Sequence, residues 1–389
     1  MPIKNRLAEM LPEITAWRHD LHAHPELRFA EHRTAALVAD KLREFGCDAV
    51  VEGVGQTGVV GVIHGRSRES GRVIGFRADM DALPIIEATG VAHASSHSGA
   101  MHACGHDGHT AMLLGAAKYM AETRGFDGTV VLLFQPAEEG GGGARAMVDD
   151  DVLGRFGVQE VYGLHNWPGL PVGAFAICEG PMMAAADFFD VTVRGKGGHG
   201  AMPHQTVDAT VAAAQVVMAL QQIVARNVDP LKPAVLSICA LHTDSDTHNV
   251  IAGEAVLKGT VRYLHPEVQV LIRSRITQVA EATAIACGAE AVVDYRPCVP
   301  PTINAPDTAA RAIAAARAVA GNVQTDIAPV MGGEDFADFL SERPGAFIFL
   351  GNGDSAALHH PHYDFNDDAM PAGCSWFATL AEQQMPLPT

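Results

Sequence analysis

The stretch MHACGHDGHT, residues 101–110, runs directly into AMLLGAAKYMAE, whose pattern is typical of a helix. Three histidines, one cysteine and one aspartate fall within eight positions, and small residues separate them. A thiolate and two or three imidazoles this close on a glycine-containing turn can converge on one cation. The alternative is a polar loop whose histidines cap the helix. The stretch predicts a metal-binding turn that leads into a helix.

Outward from this turn, short apolar segments alternate with helical patterns. The apolar run at 129–134 is typical of a strand buried on both faces of a parallel sheet. Other strands are predicted at 59–63, 73–76, 160–164 and 346–350. Helices are predicted within 3–45, from the turn to about 121, from about 144, and at 308–320.

A different pattern begins after Pro181. Strands at 188–193, 234–241, 255–263 and 291–295, with helices at 207–228 and 266–287, follow the order β-α-β-β-α-β. We therefore expect an α/β fold in which a mostly parallel-sheet domain, with helices on both faces, is formed by residues 1–186 and 300–389. A ferredoxin-like α+β domain at 187–299 interrupts it.

The composition limits the class of protein. With 389 residues, 48% hydrophobic and 19% charged, the chain is typical of a folded soluble protein with two domains. Its 27 basic and 45 acidic residues give a formal net charge of −18, which argues against nucleic acid or an anionic membrane as a partner. No run of about 18 apolar residues predicts a membrane span, and no signal peptide is visible. Seven scattered cysteines without a CxxC pair favour reduced thiols and a cytoplasmic location.

Polar side chains with metal-binding chemistry follow several predicted strands. They are Asp79, Asp81, Glu138, Glu139, His165 and, less directly, His359. In open α/β sheets the functional crevice lies beyond the carboxyl ends of the strands. We expect only one of Asp79 and Asp81 to face the site. We expect Asp81 to orient a ligand or a base, and the alternative is a turn with solvated carboxylates.

The candidate metal ligands form a mixed set of sulfur, nitrogen and oxygen donors. They are Cys104, His106, Glu139, His165 and His359. Five ligands exceed what one tetrahedral catalytic ion uses. Two ions about 3.5 Å apart, with the Cys104 thiolate bridging them, fit the number better. The thiolate and imidazoles exclude Mg²⁺ and Ca²⁺ as natural occupants and permit Zn²⁺, Mn²⁺, Co²⁺ or Ni²⁺.

The adjacent glutamates suit a division of roles. A bound metal lowers the pKa of a water ligand from 15.7 to about 7, and a carboxylate that is not a ligand must then accept the proton. We assign Glu139 as the ligand and Glu138 as the general base, which later returns the proton to a leaving amine. The alternative is two exposed loop glutamates.

Five separated motifs carry a family resemblance. They are HACGHDGH, QPAEEG, GLHNWP, GGHGAMPH and LHHPHYDFND. In this order, over nearly the whole chain, they resemble the metal-dependent aminoacylase/carboxypeptidase amidohydrolase family, in the branch of the hippurate hydrolases and indole-3-acetyl-amino-acid hydrolases. The resemblance implies a bilobal fold with a dinuclear metal site. It also implies that the inserted domain forms dimers, so that a homodimer or a dimer of dimers is expected.

The resemblance extends to individual residues. It implies the ligands and the base named above, and the His-x-Pro pattern matches His359 rather than His360. His199 resembles a histidine that stabilises the oxyanion at the scissile carbonyl, often across the dimer interface. Asn249 and Arg262 resemble residues that hold the substrate carboxylate, although both are equally plausible as ordinary polar residues at strand edges.

The leading hypothesis is hydrolysis of a small N-acyl amino acid to a carboxylic acid and a free amino acid. The alternative is a metallo-dipeptidase or carboxypeptidase on the same scaffold. Those wider relatives have His-x-Asp where this chain has Asp79-Met80-Asp81, and an aspartate bridge in place of Cys104, which favours the amidohydrolase branch. A third hypothesis is a silent binding protein, but none of the expected ligands and neither glutamate is missing.

Overall fold

The computed structural model describes residues 4–388, which form two compact units. The first contains the described residues up to 182 together with 303–328 and 335–388, and the second contains 183–302 and 329–334. The second unit therefore extends beyond the insert expected at 187–299. Segment 329–334 joins it because the Ala184 N–H is shared between the carbonyls of Val330 and Gly332, each at 3.0 Å.

The described chain contains twelve α-helices and sixteen strands. The helices are α1 (Asn5–Glu9), α2 (Leu11–Ala23), α3 (His32–Glu44), α4 (His106–Thr123), α5 (Gly143–Asp149), α6 (Val152–Arg155), α7 (Ala209–Leu220), α8 (Gln222–Arg226), α9 (Pro266–Ala286), α10 (Pro306–Val319), α11 (Phe336–Glu342) and α12 (Met370–Gln384). The strands are β1 (Ala49–Val54), β2 (Gly58–His64), β3 (Val73–Asp79), β4 (Thr129–Gln135), β5 (Glu160–Pro168), β6 (Phe175–Ala176), β7 (Gly180–Met183), β8 (Ala185–Arg194), β9 (Gly198–His199), β10 (Ala234–Thr243), β11 (Val250–Ile251), β12 (Glu254–Tyr263), β13 (Glu290–Val299), β14 (Thr302–Asn304), β15 (Val323–Gln324) and β16 (Gly345–Gly353).

The first unit is built on an eight-stranded sheet in the order β1-β2-β4-β3-β5-β16-β6-β15. The central strands β4, β3, β5 and β16 are parallel, whereas β2 pairs with β1 and β4 antiparallel. Residues 130–135 of β4 are all buried, so both faces of the sheet are covered there. The predicted α/β fold with a mostly parallel central sheet is confirmed.

Helix α4 follows the metal-binding turn and lies in the interior of this unit. A Cβ on Gly115 in its middle would lie 2.6 Å from Ile14 Cδ1 in α2 and 2.9 Å from Cys374 Sγ in α12. Glycine inside a helix costs about 1 kcal/mol relative to alanine. Here the close approach of two neighbouring helices requires it.

The second unit has a four-stranded antiparallel sheet in the order β10-β12-β8-β13. Its core includes Val191 and Leu257 from the sheet, Val216 from α7 and Ile276 from α9. The chain order is the predicted β-α-β-β-α-β, but the helix expected at 207–228 is two helices, α7 and α8. By length and composition, Ala209–Arg226 is apolar enough to cross a membrane. In the structure, however, its regularly spaced buried residues face this core.

Candidate metal centre

Parallel strands of the first unit bring the metal-binding side chains to one edge of the sheet. β3 ends at Asp79, its neighbour β4 ends at Gln135, and β5 carries His165 close to its end. Helix α4 begins at His106, within the stretch 101–110, so the turn itself is formed by the residues up to Gly105. The carboxyl ends of neighbouring parallel strands meet at the same edge. Donors that are far apart in the chain, such as Cys104 and His165, therefore become neighbours.

The metal-binding turn itself depends on Gly105. Its φ of +88° lies in the left-handed region that favours glycine. A Cβ at this position would lie 2.3 Å from Asn166 Nδ2 and 2.6 Å from Tyr363 Oη. Asn166 in turn donates to the carbonyl of Cys104 at 2.6 Å and accepts from the Tyr363 hydroxyl at 2.6 Å. Glycine therefore lets the turn pack against the side chains that hold it.

Among the overlapping groups of donor atoms at this edge, three contain at least two of the expected ligands, and within each group the atoms are within 4.8 Å of one another. The groups are Cys104 with His106 and His165, Cys104 with Glu139 and His359, and His106 with Glu138 and Glu139. Cys104 Sγ lies 3.4 Å from His165 Nε2, and His359 Nε2 lies 3.2 Å from Glu139 Oε1. The structure brings all five expected ligands and the expected base together, with Cys104 common to two groups.

The orientation of the two buried imidazoles fits a divalent ion. His106 Nδ1 lies 3.0 Å from the Asp81 carbonyl, while its buried Nε2 has no hydrogen-bond partner among residues 4–388. His165 Nδ1 donates to the Asn166 carbonyl at 2.6 Å, which leaves Nε2 on the side of Cys104. Metal-binding histidines are held in this way, with one nitrogen hydrogen-bonded and the other free for the ion.

The charges of the cluster also favour a cation. Burial and the Glu139 carboxylate raise the pKa of the Cys104 thiol well above its usual value. Burial lowers the pKa of His106, but the Asp79 carboxylate and Cys104 outweigh it and raise that pKa well above 6.5. A divalent ion would displace these protons, because the thiolate and the neutral imidazole are the forms that bind metal.

The two aspartates after β3 have different neighbours. Asp81 Oδ1 lies 3.2 Å from His106 Nδ1, and Asp81 Oδ2 accepts from the Glu139 N–H at 3.0 Å. Asp79 instead accepts from His109 Nδ1 at 2.6 Å and from buried Arg77 at 2.7 Å. The contacts of Asp81 are those that an orienting residue requires, and its role stays a prediction.

The last expected ligand lies in the loop between β16 and α12. His359 has a φ of +63°, which is uncommon for a residue other than glycine, and its N–H donates to the Ala103 carbonyl at 2.8 Å. This bond joins the loop to the metal-binding turn. His360 is exposed, and its Nδ1 accepts from the His362 N–H at 3.1 Å instead. His359, and not His360, therefore lies in the cluster.

Three further expected residues belong to the second unit. His199 pairs with Val250 between the short strands β9 and β11, and the Gly200 N–H donates to the Asn249 carbonyl at 2.8 Å, so His199 and Asn249 are close neighbours. His199 is exposed, and its Nδ1 accepts from the Ala201 N–H. Arg262 lies apart from them on β12, where its guanidinium contacts Thr260 and the Val261 carbonyl.

Comparison with known proteins identifies the family. The model of peptidase family M20/M25/M40 matches residues 75–383. The chain belongs to this family. It is 40% identical over 377 residues to the hippurate hydrolase of Campylobacter jejuni, covering 96% of this chain and 97% of the relative. It is 39% identical over 366 residues to the N-acetylcysteine deacetylase of Bacillus subtilis, covering 94% of both chains.

A solved structure supports the same assignment. The Bacillus subtilis YXEP protein, described as a dinuclear metal-binding peptidase of the M20 family, superimposes with a TM-score of 0.85 at 34% identity. The match covers 97% of this chain and 99% of that chain. The M20 chain described here is thus a hydrolase of amide bonds, and its expected family is confirmed.

Several residues around the centre of this M20 chain were not predicted from its sequence. Buried Glu31 contacts the turn before Glu138, and Asn166 and His109 support the metal-binding turn. Arg18 lies buried against Asp107, 2.8 Å from its Oδ2. Of these residues, His109 and Asn166 have a sequence signal, because they lie in the stretch 101–110 and in the GLHNWP motif.

Proposed function

We propose that this protein hydrolyses the amide bond of small N-acyl amino acids, giving a carboxylic acid and a free amino acid. The observation that carries the proposal is the composition of the cluster. Cys104, His106, Glu139, His165 and His359 supply a complete set of metal donors, and the Glu138 carboxylate lies close to His106 and Glu139. A hydrolase that activates water needs a carboxylate beside the metal to accept the proton.

Two divalent ions would be held by these five ligands, of which Cys104 belongs to two of the donor groups. When bound, such ions polarise the scissile carbonyl and lower the pKa of a water ligand to about 7. The thiolate and imidazole donors suit Zn²⁺, Mn²⁺, Co²⁺ or Ni²⁺ and not Mg²⁺ or Ca²⁺. Asp81 would keep His106 oriented through Nδ1, and it also fixes the Glu139 N–H.

Glu138 moves the proton in this proposal. It accepts a proton from the attacking water as the water adds to the carbonyl carbon, and it returns that proton to the amide nitrogen as the C–N bond breaks. In the second unit, His199 donates a hydrogen bond to the oxyanion. Asn249 and Arg262 bind the carboxylate of the amino acid, for which a guanidinium is well suited.

We further propose that the protein is cytoplasmic and forms homodimers through the second unit. β10 is an edge strand of its sheet, and its Val235 and Leu241 side chains are 39% and 41% exposed. On α7, Met218 is 73% exposed. Unpaired strand edges and exposed apolar side chains favour association with a second copy. The seven cysteines are free across residues 4–388, which supports a reducing compartment.

The decisive experiment combines metal reconstitution with a substrate panel. The protein is stripped with a chelator, restored with Zn²⁺, Mn²⁺, Co²⁺ or Ni²⁺ one at a time, and assayed on N-benzoylglycine and N-acetyl amino acids. We expect turnover with at least one metal. Glu138→Gln should lower kcat by about 100-fold or more without loss of bound metal, whereas Glu69→Gln, at an exposed glutamate, should not. Wild-type turnover by Glu138→Gln would refute the assignment of the base.

A dipeptidase or carboxypeptidase is the second candidate. It is favoured by the similarity to the YXEP protein, which is described as a peptidase. Dipeptides differ from acyl amino acids by a free amino group, which is charged at neutral pH. Comparing kcat/KM for glycyl and acetyl derivatives of the same amino acid separates the two functions, and a clear preference for the glycyl compound would favour the peptidase.

A further inference from the structure

The segment that carries Glu138 and Glu139 has an unusual backbone. Residues 136–140, here called the glutamate turn, follow the end of β4. Ala137, which precedes Glu138, has a φ of +51° and is completely buried. A left-handed conformation is unfavourable for alanine and persists only where surrounding contacts impose it. Something must therefore hold the backbone of Ala137.

A buried carboxylate supplies this contact. Glu31 is 0% exposed, and its Oε1 accepts from the Ala137 N–H at 2.9 Å. The same oxygen accepts from the Phe29 N–H at 2.9 Å, and Oε2 accepts from the Thr57 hydroxyl at 2.5 Å. Although Glu31 directly precedes α3, its side chain does not cap that helix in the described chain. The carboxylate instead accepts a hydrogen bond from the glutamate turn, at the Ala137 N–H.

The rest of the turn is held by other elements. The Glu139 N–H donates to Asp81 Oδ2 at 3.0 Å, and Arg28 donates to the Glu139 carbonyl at 2.9 Å. Glu31 acts at a different place, since it fixes the residue directly before Glu138. Removing its carboxylate would leave the buried Ala137 N–H without this acceptor, and a buried N–H normally has a partner.

We propose that Glu31 is a positioning residue for catalysis, which fixes the left-handed backbone of Ala137 and thereby places Glu138 and Glu139. The proposal rests on the proposed function of those two glutamates. Glu31 acts through hydrogen bonds and not through its charge. An error of about 1 Å in the position of a catalytic group can lower the rate about 100-fold, so loss of Glu31 has a measurable effect.

The chemistry of the contacts provides a sharp comparison of variants. Glu31→Gln keeps all three hydrogen bonds, because its carbonyl oxygen still accepts both N–H groups and its amide can donate to the Thr57 hydroxyl. Glu31→Ala removes all three. We expect Glu31→Ala to lower kcat by about 10- to 100-fold with little change in KM, and Glu31→Gln to stay close to wild type. Thr57→Val is the matched control, since it leaves the Ala137 bond in place and should not lower kcat.

A second-site variant tests the backbone directly. Glycine adopts a positive φ without penalty, so Ala137→Gly should partly restore kcat in the Glu31→Ala background. Should Glu31→Ala fail to fold, Glu31→Asp replaces it, because it keeps the charge but is too short to reach all three donors. A loss of kcat in Glu31→Asp alongside normal Glu31→Gln supports positioning by hydrogen bonds.

Metal affinity gives a readout independent of turnover. Because Glu139 lies on the same turn, Glu31→Ala should release Zn²⁺ or Mn²⁺ to a competing chelator more readily, and Glu31→Gln should not. Unchanged kcat and unchanged metal release in Glu31→Ala would overturn the proposal, as would equal impairment of Glu31→Gln and Glu31→Ala. If the wild type hydrolyses no acyl amino acid, the proposed function fails, but the chelator titration still tests the role of Glu31.

Discussion

Replacing Gly105 with alanine tests how the metal-binding turn is held. Two effects add at this position. The φ of +88° costs alanine about 1 kcal/mol more than glycine. The new Cβ would also lie 2.3 Å from Asn166 Nδ2, which must move. That movement breaks two buried hydrogen bonds, to the Cys104 carbonyl and from Tyr363, at about 1 kcal/mol each. We expect the free energy of unfolding of Gly105→Ala to fall by about 3 kcal/mol.

A second glycine provides a matched control. Gly169 has the same φ of +88°, but a Cβ there would meet no atom of the described chain within 4 Å. The free energy of unfolding of Gly169→Ala should therefore fall only by the backbone penalty of about 1 kcal/mol. Urea unfolding of the metal-free protein measures the free energy of unfolding of both variants. All three tryptophans, Trp17, Trp167 and Trp376, lie in the first unit, so their fluorescence reports on the unit that contains the turn. Equal unfolding free energies for the two variants would refute this account of the turn.

Two further predictions concern the buried charges next to α4. Arg18→Met should lower the free energy of unfolding by about 3 to 5 kcal/mol, because the buried Asp107 carboxylate loses its guanidinium partner and keeps only the imidazole of His22. Arg6→Met, at an exposed ion pair, should change it by less than about 1 kcal/mol in the same urea titration. Burial lowers the pKa of His22, but Asp107 and Glu87 outweigh it and raise that pKa to about 9. Because the folded pKa exceeds the unfolded value of about 6.5, up to about 3 kcal/mol of stability is present below pH 6.5 and is lost as the pH rises to 9. Unfolding curves at pH 6, 7.5 and 9 should show this loss in the wild type and a smaller one in His22→Gln, and equal pH dependence in both would contradict the assignment.

The sequence predicted those parts of the molecule in which local pattern and tertiary environment agree. The run at 130–134 is apolar throughout because β4 is buried on both faces. The candidate ligands could be found because cysteine and histidine are concentrated in the stretch 101–110, and because Glu139 and His165 follow apolar runs that predict strands. The inserted unit could be recognised because its strands and helices follow one another in a known order.

The contacts that support the centre could not be predicted in the same way. Glu31 and Ala137 are 106 positions apart, and no periodicity relates them. Asn166 looks like any polar residue after a strand until the fold places it between Gly105 and Tyr363. Strands of two residues, such as β6, β9 and β15, are too short for any alternation to appear. Their pairing depends on neighbours that only the complete fold supplies.

The position of β16 has a consequence for biosynthesis. This strand lies between β5 and β6 in the sheet, yet residues 345–353 are made after both of them. A chain leaving the ribosome must therefore keep a gap in its central sheet while well over a hundred further residues emerge. The intervening segment can fold before the sheet closes. His359, only a few residues beyond β16, reaches its neighbours last, so the centre is completed at the end of synthesis.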